Sequence, residues 1–263
     1  MKIKNILYSI LFLSTVFVMN ACDDKPEIPG DDTYEAPEPP AAINNYNLFT
    51  MEFYSRLTEE PLFGTVSYDA VVSRLSSNQT NLAYLFDRSD ITIGQTSAVV
   101  DIAWKSKKNA FFVQNNTADN VIEGTGMIVR QLVPVFPGTF NSDSLFIAGC
   151  ALSAPLYTTT PVTLLTCKLK EDYQIKILSG YFSQSTSSNK VVVGTMLSGM
   201  EDTLRDYLKH HLKNFRIAVL SSTQTGKAYK IFILSPVNFV CRGFQELTVG
   251  EFPMYQIKIE YLN

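Results

Sequence analysis

Apolar and polar positions alternate with a period of two in several stretches of the chain, and that period belongs to half-buried β-strands. Ala98, Val100, Ile102 and Trp104 alternate with Val99, Asp101, Ala103 and Lys105, which predicts a strand. Lys107-Lys108-Asn109 then predicts a turn into Ala110–Gln114. Tyr255, Ile257, Ile259 and Tyr261 alternate with Gln256, Lys258 and Glu260 near the end of the chain. Phe215–Leu220 and Ala228–Leu234 flank a polar stretch containing Gly226, the pattern of a hairpin with a longer loop.

Tyr173–Leu178 gives a further predicted strand, and its first five residues, Tyr173-Gln174-Ile175-Lys176-Ile177, recur letter for letter at Tyr255–Ile259. A duplicated half-domain is one explanation. The favoured one is coincidence, because amphipathic strands select tyrosine, isoleucine and alternating polar residues in any case. One helix is well signalled. Ser198-Gly199-Met200-Glu201 has the form of a capping box, and Met200, Leu204, Leu208 and Leu212 follow at i+4 steps. Asp202 near its start and Lys209 and Lys213 near its end suit the helix dipole. No charged residue occurs between Ser144 and Cys167, but Pro155, Pro161 and Thr158–Thr160 break that stretch into two short apolar pieces. Leu145–Leu152 and Val162–Cys167 are therefore expected as buried strands joined by a loop. The fold class expected is mainly β, an antiparallel β-sandwich or a barrel-like domain with one covering α-helix.

The first residues follow a different plan. Lys2 and Lys4 precede an apolar run from Ile6 to Met19, and Ala21 then stands directly before Cys22. The run is shorter than the ~20 residues a membrane-spanning helix needs and has the layout of a secretory signal peptide. Asp23-Asp24-Lys25-Pro26-Glu27, Asp31-Asp32, Glu35 and Glu38 follow, interrupted by Pro29, Pro37, Pro39 and Pro40. Such a segment is too polar to repay chain ordering and too rich in proline to be fully flexible, so it reads as an extended spacer. Together, the small residue before Cys22 and the acidic residues behind it resemble a Bacteroidota-type surface-exported lipoprotein. That resemblance implies lipidation at Cys22 and an outer-membrane, cell-surface address. It covers only about the first 30 residues. The division expected is a signal peptide at 1–21, an acidic proline-rich linker at 22–45 and a β-rich domain at 46–263.

Charge narrows the partners. The chain carries a formal net charge of −3. The linker holds seven acidic residues and one lysine, which leaves the domain close to neutral. A nucleic-acid binder normally shows a basic patch, so no nucleic-acid partner is expected.

Motifs that carry chemistry are sparse. Cys150, Cys167 and Cys241 sit in apolar contexts without CxxC spacing, so buried thiols are expected, with a Cys150–Cys167 disulfide as the lesser alternative. His210 and His211 are adjacent on the predicted helix and do not share a face. Gly226-Lys227 lacks the remainder of a phosphate loop, and Gly124-Thr125-Gly126 reads as a bend or bulge. Asp69, Asp101, Asp143, Glu171 and Asp172 are carboxylates that a fold could bring together as a glycosidase pair. Asp143-Ser144-Leu145 and Asp202-Thr203-Leu204 resemble the short O-glycosylation sequon of exported Bacteroidota proteins, and Tyr157, Tyr181 and Phe182 are candidates for stacking on sugars. No catalytic residue, metal or cofactor is assigned. The function expected from this subtraction is a lipid-anchored, non-catalytic surface module that binds a glycan or a protein. The alternatives are a structural subunit of a surface appendage or envelope complex, and a hydrolase whose site assembles only in three dimensions.

Overall fold

The computed structural model describes residues 48–63, 67–78, 81–92, 96–118, 121–129, 147–152, 162–184, 189–212, 214–223 and 226–262. The chain is mainly β, with eleven strands in two sheets among the described residues. In chain order the elements are β1 (Leu48–Tyr54), α1 (Asp69–Ser77), β2 (Ala83–Thr92), α2 (Ala98–Lys105), β3 (Asn109–Ala118) and β4 (Val121–Val129). Then come β5 (Ile147–Leu152), β6 (Val162–Leu169), α3 (Asp172–Gln184), β7 (Lys190–Leu197), α4 (Glu201–His211), β8 (Phe215–Leu220), β9 (Tyr229–Pro236), β10 (Phe239–Val249) and β11 (Phe252–Tyr261).

The six-stranded sheet runs β10-β11-β1-β2-β4-β3 and the five-stranded sheet β5-β6-β7-β9-β8. Neither closes into a barrel. Both are mixed rather than antiparallel: β1 lies parallel to β2, and β6 lies parallel to β7. A parallel pair needs a crossover, and here each crossover is a helix, α1 in one sheet and α3 in the other. The expected antiparallel sandwich with one helix is thereby corrected to a layered α/β sandwich with four described helices.

The two sheets face each other through Met51, Phe53, Leu85 and Met127 on one side and Leu164, Val193, Ile231 and Ile233 on the other, all buried in one cluster. Their outer faces are buried as well. Val71, Leu75, Val99 and Ile102 of α1 and α2 cover Tyr84 and Phe86. Ile175, Leu178, Leu204 and Leu208 of α3 and α4 cover Leu165, Val192 and Phe232. Strands buried on both faces lose the in–out alternation and become continuous apolar runs such as Val191-Val192-Val193.

Strand–helix–strand–helix–hairpin occurs twice. β1-α1-β2-α2-β3-β4 and β6-α3-β7-α4-β8-β9 have the same order of elements and the same neighbours, and β11 and β5 each flank the first strand of a unit antiparallel to it. The repeated pentapeptide does not mark this duplication, because one copy lies in α3 and the other in β11.

Several local expectations change. Ala98–Lys105 is a helix: Val99, Ile102 and Ala103 are buried at helical spacing, while Val100 and Trp104 are exposed. Tyr173–Leu178 is also helical, within α3. The predicted helix forms as α4, but its capping box does not; the N-cap position is Met200, without a side-chain cap. Glu201 instead pairs with Arg205 at 3.1 Å and Lys230 at 2.8 Å. The β8–β9 hairpin and the two apolar pieces, β5 and β6, fold as strands. Gly126 lies in β4, where α2 rests on it; a Cβ there would come within 2.8 Å of Val99. Cys150 belongs to the cluster between the sheets and Cys167 to the cluster beneath α3 and α4. They face opposite sides of one sheet, so both remain free thiols, and burial pushes each up to about 12; Cys241, expected as a thiol too, is instead disulfide-bonded.

Candidate active site

The two parallel pairings end close together between the sheets. β1 and β2 pair in parallel as far as Tyr54 opposite Phe86, so the next residues, Ser55 and Asp87, stand side by side. In the other sheet Lys168 and Thr195 are register partners of β6 and β7. Each unit of the repeated topology thus contributes one polar pair at the carboxyl ends of its parallel strands. Open α/β sheets bind ligands at this end.

A bulge aims Asp87. Phe86 pairs with Gly126 and Ser89 with Gly124, so two residues of β2 oppose Thr125 alone. Thr125 Oγ1 donates to the Asp87 carbonyl at 3.4 Å. The Asp87 carboxylate accepts from Ser55 Oγ at 2.9 Å and from Thr195 Oγ1 at 3.1 Å on the same oxygen, and Lys168 Nζ lies 3.8 Å from it. Ser55 and Thr195 have no exposed surface; Asp87 is 4 % and Lys168 8 % exposed. A carboxylate this deeply placed is costly unless a cation offsets it. Lys168 is that cation. Its ammonium also donates to the Thr58 carbonyl at 3.0 Å and lies 3.8 Å from the centre of the Tyr229 ring, a close cation–π contact.

The rim is built by the loop after β1. Leu57 has φ +55°, a left-handed conformation that costs a non-glycine residue on the order of 1 kcal/mol. Three hydrogen bonds hold it there: its N–H donates to Ser55 Oγ at 2.9 Å, and its carbonyl accepts from Ala228 and Tyr229 at 3.1 and 3.2 Å. The loop carries Glu59 to the Tyr229 hydroxyl, which donates to it, and to Lys170 at 3.1 Å. Partial burial would raise the Glu59 carboxyl, but the Tyr229 hydrogen bond and the Lys170 charge outweigh it and hold the group at about 2.

Residues singled out in the sequence lie elsewhere. His210 and His211 are on the outer helix α4, where His210 contacts the Asp206 carbonyl at 2.8 Å and His211 stacks on Tyr207. Asp101 pairs with Lys105 at 2.7 Å and accepts from Tyr68, Asp69 accepts from Ser67, and Glu171 and Asp172 are exposed beside α3. Of these, Asp69 and Asp101 share a neighbourhood on the outer helices α1 and α2, where both act on Tyr68 and Lys105. Phe182 is buried on the inner side of α3, which removes it as a sugar platform, whereas Tyr181 is partly exposed with Lys190 Nζ 4.7 Å from its ring centre. Thr203 is exposed on α4. Cys22, Asp143, Ser144 and Tyr157 lie outside the described residues. Among the described residues no three His, Cys, Asp or Glu side chains are grouped to hold a metal ion, and no helix is long and apolar enough to cross a membrane.

Ser55, Asp87, Lys168 and Thr195 were not expected from the sequence. The available signal was a polar residue at an inward position of an apolar strand: Asp87 after Ala83–Phe86, Lys168 within Val162–Leu169 and Thr195 within Val191–Leu197.

No family model and no curated protein matches this chain. Solved structures do. ANGEL2, a 2',3'-cyclic phosphatase in complex with adenosine-2',3'-vanadate, superposes with a TM-score of 0.50 at 8 % identity, over 81 % of this chain and 96 % of its own. AP endonuclease LMAP from Leishmania major gives 0.49 at 8 % identity, covering 90 % and 93 %. D. rerio TDP2 complexed with single strand DNA product gives 0.46 at 9 % identity, covering 81 % and 99 %. At these identities the likeness is one of fold. The expected non-catalytic glycan- or protein-binding surface module is corrected on this ground: a chain that shares the fold at a TM-score of 0.50 is a 2',3'-cyclic phosphatase, an enzyme. The expectation of no nucleic-acid partner, which rests on net charge alone, is corrected likewise: the same phosphatase structure holds adenosine-2',3'-vanadate.

Proposed function

We propose that this chain is a hydrolase acting on a phosphate ester at the Asp87 cluster. The observation that carries the reading is a buried carboxylate, ringed by two hydroxyls and an ammonium, where both parallel strand pairs end. The fold shared with a 2',3'-cyclic phosphatase supplies the substrate class. Asp87 and Lys168 keep a little exposure and Ser55 and Thr195 none, so the first two meet substrate and the hydroxyls position them. Asp87 takes the proton of an attacking water as that water's oxygen bonds to phosphorus. Lys168 stabilises the negative charge gathering on the phosphoryl oxygens, and the P–O ester bond breaks to release an alcohol protonated by solvent.

Many phosphatases and nucleases clamp divalent ions for this step. The described residues here do not fit such an ion, because the seat offers one carboxylate and already holds an ammonium.

The test is turnover of bis-p-nitrophenyl phosphate and a 2',3'-cyclic nucleotide by the purified protein. Asp87→Asn should lower the rate by about 10²- to 10⁴-fold, the usual worth of a general base, with the circular dichroism spectrum unchanged. A wild-type protein inert toward both substrates overturns the reading.

The complete enclosure of Ser55 and Thr195 favours a second reading, in which the cluster does no chemistry and clamps the two sheets together. Under it Asp87→Asn costs about 3–5 kcal/mol of stability, as expected for breaking a buried ion pair, and no turnover is found. Attachment through a lipidated Cys22, with an outer-membrane, surface-exposed address, is proposed from the first residues alone. Mass spectrometry of the mature N-terminus from a membrane fraction tests it, and an unmodified thiol there rejects it.

A further inference from the structure

We propose that the Lys168 ammonium is the resident cation of the Asp87 seat, filling it so that the native protein binds no divalent metal there; this deepens the hydrolase reading and rests on it for its catalytic meaning. The seat is lined by oxygen: the Asp87 carboxylate, the Ser55 and Thr195 hydroxyls bonded to it, and the Thr58 carbonyl. Oxygen donors of this kind suit hard cations such as magnesium, calcium and manganese. Lys168 Nζ lies among them, 3.0 Å from the Thr58 carbonyl, 3.8 Å from the Asp87 carboxylate and 3.8 Å from the centre of the Tyr229 ring.

Charge completes the argument. Asp87 and Lys168 balance within the buried seat, and Glu59, whose carboxyl Lys168 also helps to lower, is offset by Lys170 at 3.1 Å. A divalent ion added beside Lys168 would bring two uncompensated charges into that space, a cost its contact with a single carboxylate does not repay. The lysine comes from β6 of one unit and the carboxylate from β2 of the other, so the pair also ties the two halves of the repeated topology together. An ammonium is a compact point charge that stabilises a phosphoryl oxygen but does not ionise a bound water as a metal does. That leaves the proton transfer to Asp87.

Removing the lysine should open the seat. Calorimetric titration with MnCl₂ and MgCl₂, together with thermal denaturation, reads this without any activity assay, so failure here and failure of the hydrolase reading are distinguishable. Wild type is expected to show no saturable heat. Lys168→Ala is expected to bind Mn²⁺ at least about tenfold more tightly than wild type and to gain thermal stability as the ion is added. The double variant K168A/D87N should lose both effects. Saturable Mn²⁺ binding by wild type that Asp87→Asn abolishes overturns the proposal, as does a folded Lys168→Ala that gains no ion affinity. If Lys168→Ala does not fold, K168M/D87N decides: removing both charges should restore folding where Lys168→Met alone does not, and a double variant no better than Lys168→Met overturns the assignment.

Discussion

Two regions of this molecule have the same five residues and different structures. Tyr173-Gln174-Ile175-Lys176-Ile177 winds into the first turns of α3, and Tyr255-Gln256-Ile257-Lys258-Ile259 lies extended in β11 between β10 and β1. In the helix Tyr173 is 49 % exposed and Ile175 is buried; in the strand Tyr255 is wholly buried, as are Ile257 and Ile259. Local preference is identical, so the flanks decide. Asp172 begins α3, Gln174 Oε1 accepts from the Lys170 and Glu171 amides at 2.6 and 3.0 Å, and Leu178 and Phe182 extend the apolar positions of Ile175 at helical spacing. Phe252 and Met254 precede the other copy at spacing two, and a two-residue loop with Gly250 at φ +63° folds β11 back on β10. A pentapeptide carries both periods. Only a window of ten or so residues separates them.

Burial makes the sharpest distinction between the two copies. Tyr255→Ala should cost about 3–5 kcal/mol, because a fully buried aromatic stacked 5.6 Å from Phe244 leaves a cavity. Tyr173→Ala, on the open side of α3, should fall within about 0.5 kcal/mol of wild type. Urea denaturation of both variants measures the difference. Equal costs would break the comparison by showing that α3 is packed against something on its outer face.

A smaller contrast lies one residue on. Gln174→Ala strips two helix-start amides of their acceptor and should cost about 1 kcal/mol, the usual worth of a cap. Gln256→Ala leaves the strand ladder of β11 intact and should change stability by less than about 0.5 kcal/mol. The same denaturation series reads it, and a costless Gln174→Ala would mean that the α3 start is held by packing alone.

The same ambiguity explains which parts of the fold were legible. β5, β6, β8, β9 and the end of β11 were readable because apolar runs or strict alternation continued for their whole length. α4 was readable from Met200, Leu204 and Leu208, although the capping box that announced it is not formed. α2 was misread because Ala98–Lys105 is apolar at spacings of two and of three or four alike, and only packing on Gly126 and Phe86 chooses between them. The repeated topology was not legible at all. Its halves match in the order of elements, whereas the residues that do repeat sit in unlike places. The candidate site was hidden for a related reason: Ser55, Asp87, Lys168 and Thr195 are 32, 81 and 27 residues apart, and only the ends of two parallel pairs bring them together.

The smallest effect isolates conformation from packing. Lys176 and Lys258 occupy the fourth position of each copy, and both side chains are exposed. Valine at either site therefore changes little contact with the core and mainly tests what the backbone prefers. In α3 a β-branched residue loses rotamer freedom against the preceding turn, so Lys176→Val should destabilise by about 0.5 kcal/mol. In β11 the same residue packs across the pleated surface toward neighbours such as Gly243 and Thr50, so Lys258→Val should be neutral or stabilising by a similar amount. One substitution, made in two identical sequences, should carry opposite signs. Each difference is close to the error of extrapolated stabilities, so midpoints at constant denaturant slope are the quantity to compare. Two shifts of the same sign would mean that side-chain contacts, rather than the helical or extended backbone, set the preference at these positions.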